Sequence, residues 1–426
     1  MTRVVVVGGG FGGLASAVRL AKLGHEVTLV ERSAELGGAL STVSEDGFTW
    51  DAGPTYTLLP AVVRDLFRKS GRPLERELDL VPLDIVREHR FEDGSSVRVP
   101  VGRAPQLEAF EALGPGLGQR WVDHVASYAD DWEVLRRGYL ENPWTPDDLP
   151  RDLAARLDSR ETMFKRLRKT FKDERLRLVA GHPFEAEGHD LRNVPAWAGT
   201  TAYVEQRFGA WTVEGGLARL GAALEERLTT RKVAVLTGTE ASDLVVRDGR
   251  VSAVATTSGT IDADVVVCAI DPRRLPALAS YVARTMPALP PVVVHIGLDG
   301  DVPDLPHELV LHGDATLVVR RNGNALTVLG RGRLSEDILR ALARHKIDVR
   351  AQVVARVDRS PRDQVELWGG SPMGVLWQGR ATVRQRLGPR TPVEGVYAAG
   401  AHATPGGGLP YVGLSAALVA AEVGPA

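Results

Sequence analysis

Cysteine is almost missing from this chain: its 426 residues hold one, Cys268. A lone cysteine excludes internal disulfides and any cysteine-based zinc or iron–sulfur cluster. In "ADVVVCAID" it reads as a small hydrophobe in a buried strand rather than a reactive thiol. Net charge is nearly absent too, at −2. Nothing draws the whole chain to nucleic acid or to anionic lipid, and no nucleic-acid partner is expected. No run is long and apolar enough to cross a bilayer. The uncharged stretch from Val4 to Val18 holds five glycines in its first ten positions and no small-residue cleavage site, so it fits neither a span nor a secretory signal. A cytoplasmic protein is expected. Metal-ligand spacings, a serine–histidine–acid constellation and a phosphate-binding lysine loop are also missing, and no metal is expected. Catalysis in such a chain falls to a bound organic cofactor.

What is present begins at once. "TRVVVVGGGFGGLASAVRLAKLGHEVTLVER" reads as a β-branched strand, a glycine loop, a helix and a second strand ending at Glu31. Gly8 permits the tight turn, Gly10 lets the backbone approach a pyrophosphate, and Gly13 lets the helix lie on the sheet. Phe11 and Gly12 open the helix, whose N-terminal N–H groups and dipole favour an anion. Glu31 is placed to accept both hydroxyl hydrogens of a ribose and to repel a 2′-phosphate. This unit alone does not separate NAD from FAD.

At the far end "VYAAGAHATPGGGLPYVGLSAAL", from Val396 to Leu418, reads as another strand, glycine loop and small-residue helix, the helix beginning near Gly413. Between the two ends lie "ERSAELGGALSTVSEDGFTWDAGPT", with Gly37 and Gly38 and then Asp51 to Thr55, and "WTVEGGLARLGAALEERL". A strand, an Asp248-Gly249 hairpin turn and a last strand ending at Asp271-Pro272 follow.

These four blocks, in this order, resemble the phytoene-desaturase-like branch of the FAD-dependent amine oxidase superfamily. The resemblance implies an α/β fold: a discontinuous Rossmann-like FAD-binding domain of the glutathione-reductase type, with an inserted α+β substrate domain. It assigns residues 1–58, 207–274 and 371–426 to the FAD domain, and 59–206 and 275–370 to the substrate domain. It implies an oxidoreductase, a flavoprotein whose FAD takes hydride at N5 from an apolar isoprenoid- or polyene-like molecule. It also implies cofactor contacts at Gly8, Gly10, Phe11, Gly12, Gly13, Glu31, Arg32, Gly38, Ala39, Gly53, Pro54 and Thr55. Further contacts fall at Ala241, Gly400, Ala401, Gly408, Leu409, Pro410, Tyr411 and Val412, the closing loop seating the flavin ring. In three places the chain departs from the family pattern. Ala39 stands where arginine is usual, Val213 to Gly216 replace a P-[R/K]-G-G block, and Thr404 precedes Pro405 where histidine is usual. These changes keep FAD and point away from a C40 carotene toward a smaller apolar intermediate.

Candidates for contact with the reacting molecule are Thr55, Tyr56, His402, Thr404, Pro405, Leu409 and Tyr411; His182 and His189 are candidates for acid–base work. His402, Tyr411, Thr55 and His182 head the catalytic set. Trp211 and Tyr203 are candidates for an apolar wall. Arg160 to Arg177 hold eight basic and three acidic residues, with Leu153, Leu157, Phe164, Leu167, Phe171 and Leu178 at helical spacing. That pattern leaves open a peripheral membrane contact or a solvated basic face over a packed apolar one. A helix is expected from Ser335, as N-cap, to His345. Two other activities remain: an amine or amino-acid oxidase of the same superfamily, and a flavin-free prenyl-lipid carrier.

Overall fold

Valines at positions 4 to 7 form the spine of a five-stranded parallel sheet. The computed structural model describes residues 2–145, 148–300 and 302–426. The strand order is Val396–Ala398, Val265–Cys268, Arg3–Val7, Glu26–Val30, Ala234–Leu236. A strand covered on both faces needs apolar residues at every position, which is why this one does not alternate. Val4 and Val6 face the helices Phe11–Lys22, Ala218–Thr230 and Leu409–Val423. Val5 and Val7 face a three-stranded antiparallel sheet, Ala241–Arg247, Arg250–Thr256 and Gly259–Asp262. The first two of those strands turn at Asp248 and Gly249, with φ of 51° and 79°, the left-handed pair of a tight hairpin. The parallel sheet thus brings the two chain ends and the middle together, with Arg3–Val7 at its centre and Val396–Ala398 and Ala234–Leu236 at its edges.

A seven-stranded sheet collects the intervening segments. Its order is Val353–Arg359, Val292–Leu298, Ala325–Gly332, Ala315–Asn322, Glu308–Leu311, Ile85–Arg90, Ser96–Pro100. Glu308–Leu311 runs parallel to Ile85–Arg90, with Leu309 beside Glu88 and Val310 beside His89, so strands from both intervening segments share one sheet. Helices between Arg103 and Phe208 pack a separate apolar cluster around Phe110, Trp121, Leu135, Tyr139 and Trp197. No helix among the described residues is long and apolar enough to cross a membrane.

Three local expectations shift. The last helix starts at Leu409, four residues before Gly413, because Pro410 sits in its first turn, where a missing N–H costs nothing. The helix expected from Ser335 runs Ile338–Arg344, and Asp337 is its cap, accepting from the Leu339 N–H at 2.9 Å. The stretch from Leu153 to Leu178 that carries the basic run is not one helix but parts of three: Arg151–Leu157, Met163–Thr170 and Glu174–Glu185. Thr162 and Asp173 cap the second and third through their side chains. Leu153, Leu157, Leu167 and Phe171 are all buried. Four of the six apolar positions of the stripe are therefore used inside the fold, and Phe164 and Leu178 are half-buried.

Candidate active site

The opening loop is shaped by close approach. Gly8 turns at φ 104°, a conformation that side chains resist. A Cβ on Gly13 would stand 1.8 Å from the Gly8 carbonyl oxygen, so only glycine lets helix and strand touch. A Cβ on Gly12 would stand 2.8 Å from the Gly400 Cα, which puts the opening and closing loops against each other. Gly10 is different. Its backbone is ordinary, φ −74° and ψ 178°, and a Cβ there would meet nothing within 4 Å. It faces open space at the N-terminus of Phe11–Lys22, where no side chain caps the free amides. Open space, free N–H groups and a helix dipole together make an anion cradle.

Around that cradle the other blocks assemble. The Glu31 carboxylate accepts from the Gly9 and Ser33 N–H groups, each at 2.7 Å, and each oxygen keeps capacity for a hydroxyl donor. The Gly37 N–H donates to the Gly9 oxygen at 2.9 Å, and Gly38 lies over Gly10. Gly53 packs on the Ala39 carbonyl so closely that a Cβ would come within 2.4 Å. The Thr239 N–H donates to the Glu31 carbonyl at 2.9 Å, which draws the strand that starts at Ala241 alongside. Asp51 plays a part that its motif does not announce. It accepts from the Leu217 and Ala218 N–H groups at 3.1 and 2.8 Å, capping Ala218–Thr230. Burial raises the Asp51 carboxyl despite those two donors. Arg32 points elsewhere: its guanidinium donates to the carbonyls of Glu366 and, at 2.7 Å, Leu367, at the end of helix Pro361–Trp368.

The closing loop ends in the helix Leu409–Val423. Gly408 offers no side-chain cap, Pro410 has no N–H, and the first intrahelical bond runs from the Val412 N–H to the Gly408 oxygen at 2.9 Å. Arg386 holds this loop from below, donating to the Pro405 oxygen at 2.8 Å and the Val375 oxygen at 3.1 Å, with its guanidinium 4.5 Å from the Trp377 ring centre. Its Nε has no partner among the described residues. The Tyr139 hydroxyl donates to the same Pro405 oxygen at 3.2 Å.

A cavity of about 600 Å³ runs from Phe11, Ala39 and Gly53 past the closing loop to the seven-stranded sheet. One wall is apolar: Leu135, Tyr139, Leu140, Leu178, Phe184 and Trp197. The sheet wall is ionic. Arg87 pairs with both oxygens of Glu205, with Glu308 at 3.3 Å and with the Tyr56 hydroxyl at 3.1 Å; Arg320 pairs with Glu308 at 2.9 Å. Burial alone would raise Glu308, but Arg320 and Arg87 outweigh it and hold the carboxyl down to about 2. Burial pushes the Tyr56 hydroxyl up to about 12. Beside this network His89 Nδ1 and His312 Nε2 lie 2.9 Å apart, with His182 packed edge-on against His89. Burial, with Arg87 adding, holds His182 down to about 3, and burial holds His312 to about 4.

Of the residues singled out in the sequence, Phe11, Ala39, Gly53, Pro54, Thr55, Tyr56, His182, His189, Pro405, Gly408, Leu409, Pro410, Tyr411 and Val412 line this cavity. The Thr55 hydroxyl is 3.2 Å from His307, and the Tyr411 hydroxyl 3.4 Å from that of Thr201. Gly8, Gly10, Gly12, Gly13, Glu31, Gly400 and Ala401 lie behind it, around the cradle. His402 does not line the cavity; it is buried, its Nε2 3.0 Å from the Ser371 oxygen and its Nδ1 3.8 Å from Asp271. Thr404, Trp211 and Tyr203 stand off the cavity as well. Sequence reasoning missed Arg87, Glu205, Glu308, Arg320, His312 and Arg386. The available signal was polar residues at inward positions of strands, Arg87 and His89 two apart in "DIVREHR".

Residues 11–354 match the family model described as flavin containing amine oxidoreductase. The chain is 27% identical over 332 residues to 4,4′-diapolycopene oxygenase of Methylomonas sp, covering 73% of this chain and 66% of that protein. It thus spans just under two-thirds of that relative's length. It is 29% identical over 490 residues to hydroxyneurosporene desaturase of Cereibacter sphaeroides, covering 97% of this chain and 95% of that one. Among solved structures, a putrescine oxidase triple mutant superposes with a TM-score of 0.71 at 16% identity, covering 99% and 98% of the two chains. That likeness carries the fold alone.

Proposed function

The chain belongs to the family of flavin containing amine oxidoreductases, with FAD as its cofactor, and from that premise we propose that it oxidises an apolar, isoprenoid- or polyene-like molecule. The cavity is the observation that carries this reading: it joins the closing loop to a wall of leucine, phenylalanine and tryptophan side chains. When bound, FAD supplies hydride acceptance. The protein's part is holding and shaping. Gly10 and the free amides of Phe11–Lys22 would take the pyrophosphate, Glu31 the ribose, and the N-terminus of Leu409–Val423 the ring end. The open face of Gly10 and the uncapped helix ends fit such a group. Residues 59–206 and 275–370 would then hold the substrate, the apolar wall excluding water along its length. Partial positive charge on a polyene spreads over conjugation, so a strong base is not required, and shape carries selection.

The experiment is anaerobic mixing of FAD-loaded protein with acyclic polyene precursors in detergent, and separately with amines and amino acids. Loss of oxidised-flavin absorbance with the polyenes alone supports the reading; loss with amino acids alone overturns it. A second reading, amino-acid oxidation, is favoured by one observation: Arg386 is a buried cation beside the closing loop whose side-chain acceptors are main-chain carbonyls, and a substrate carboxylate would pair with it. The same mixing experiment separates the two.

A further inference from the structure

The ionic wall is not what a pure hydrocarbon needs. Burying two carboxylates and two guanidiniums is costly unless they are fully paired, and Arg87, Glu205, Glu308 and Arg320 do pair among themselves. Their formal charges cancel, so the wall presents polarity without net charge. His182, on the helix Glu174–Glu185 beside this wall, is the exception. Its side chain is 5% exposed and lines the cavity, yet neither ring nitrogen has a hydrogen-bond partner among the described residues. Tyr56 lines the same cavity; its hydroxyl accepts from Arg87 and keeps its own hydrogen to donate. A buried polar group left unpaired is destabilising, and a hydrocarbon in this cavity would leave His182 unpaired.

We propose that the corner where the helix Glu174–Glu185 meets the ionic wall is an end-group subsite: the molecule oxidised carries, at one end of its apolar body, an uncharged hydroxyl or carbonyl that hydrogen-bonds to His182, with Tyr56 as a second donor. The inference rests on the apolar-substrate reading above and narrows it. Burial keeps the imidazole neutral, so it offers one donor and one acceptor and can meet either oxygen function. The His182 imidazole forms no hydrogen bond among the described residues, so replacing it leaves the Arg87 network whole.

The test uses FAD-loaded protein and two probes of equal length, geranylgeraniol and its deoxy hydrocarbon, with binding followed by tryptophan fluorescence. The alcohol is expected to bind about ten-fold more tightly, the worth of one buried hydrogen bond. His182→Phe should erase that preference by weakening the alcohol alone, and His182→Gln should restore part of it. Should His182→Phe fail to load FAD, Tyr56→Phe carries the test, with a several-fold loss for the alcohol expected. Equal affinity for both probes overturns the subsite while leaving an apolar substrate standing. Equal weakening of both by His182→Phe overturns it too. If neither probe binds the unaltered protein, the apolar-substrate reading fails and the subsite with it.

Discussion

Replacing Gly10 with valine should separate cofactor binding from folding. Gly10 has ordinary backbone angles, and a Cβ there meets nothing within 4 Å. The apoprotein should therefore fold, with stability unchanged or raised by up to about 1 kcal/mol, because the unfolded chain loses freedom. The added side chain fills the space over the helix amides. Displacing a pyrophosphate from two charge-assisted hydrogen bonds, at about 1.5–3 kcal/mol each, removes about 3–6 kcal/mol of binding. That is about a hundred- to ten-thousand-fold in Kd. Gly13→Ala is the contrast. Its Cβ would stand 1.8 Å from a main-chain oxygen, so the helix must leave the sheet and the soluble yield should collapse. The assay is thermal unfolding of the flavin-free protein beside an FAD titration followed by flavin fluorescence. A Gly10→Val protein that binds FAD within three-fold of the original would refute the placement of the pyrophosphate.

Other changes test the surroundings. Arg87→Met strands Glu205 and leaves Glu308 with Arg320 alone; a loss of about 3–5 kcal/mol in denaturant unfolding is expected, and a loss below about 1 kcal/mol would show the network to be open to water. Asp51→Ala removes the cap from Ala218–Thr230 and should cost about 0.5–2 kcal/mol, read as a fall in Tm. Stability should also fall with acid. His124, His182, His295 and His312 are held by burial to about 4, 3, 4 and 4, below the ordinary value near 6.5. Above pH ~6.5 both states are neutral and the full stability is present. Below it the unfolded chain takes protons first, and each histidine removes about 1.4 kcal/mol per pH unit until its folded pKa is reached. Tm measured from pH 7 to pH 4 should drop steeply, and His182→Phe should flatten the curve; a flat profile in the unaltered protein contradicts the burial of these rings.

The nucleotide end was legible because its constraints are local. Gly8, Gly13 and Glu31 each answer a demand set within some thirty residues, and the Asp248-Gly249 turn is a two-residue signal. The closing block was legible for the same reason. Its helix start was placed late, because a stretch rich in glycine and proline reads as loop although Pro410 is at home in a first turn. The basic run misled through periodicity: apolar spacing carries across Thr162 and Asp173, whose capping side chains mark the true breaks. The ionic wall could not be read. Arg87 meets Glu205 across 118 residues and Glu308 across 221; sheet register brings Glu308 to it, and the packing of helix Thr200–Phe208 brings Glu205. His402 stood out as the histidine of the closing motif, yet what decides its place is Ser371 and Asp271, which sequence distance hides.

A crystal structure of the FAD-loaded protein tests the central claim most directly. It should show the pyrophosphate on the open face of Gly10 and the flavin ring in van der Waals contact with Gly406 to Val412, its reactive face toward the cavity. A ring seated away from that loop, with the loop in its present position, would contradict the account.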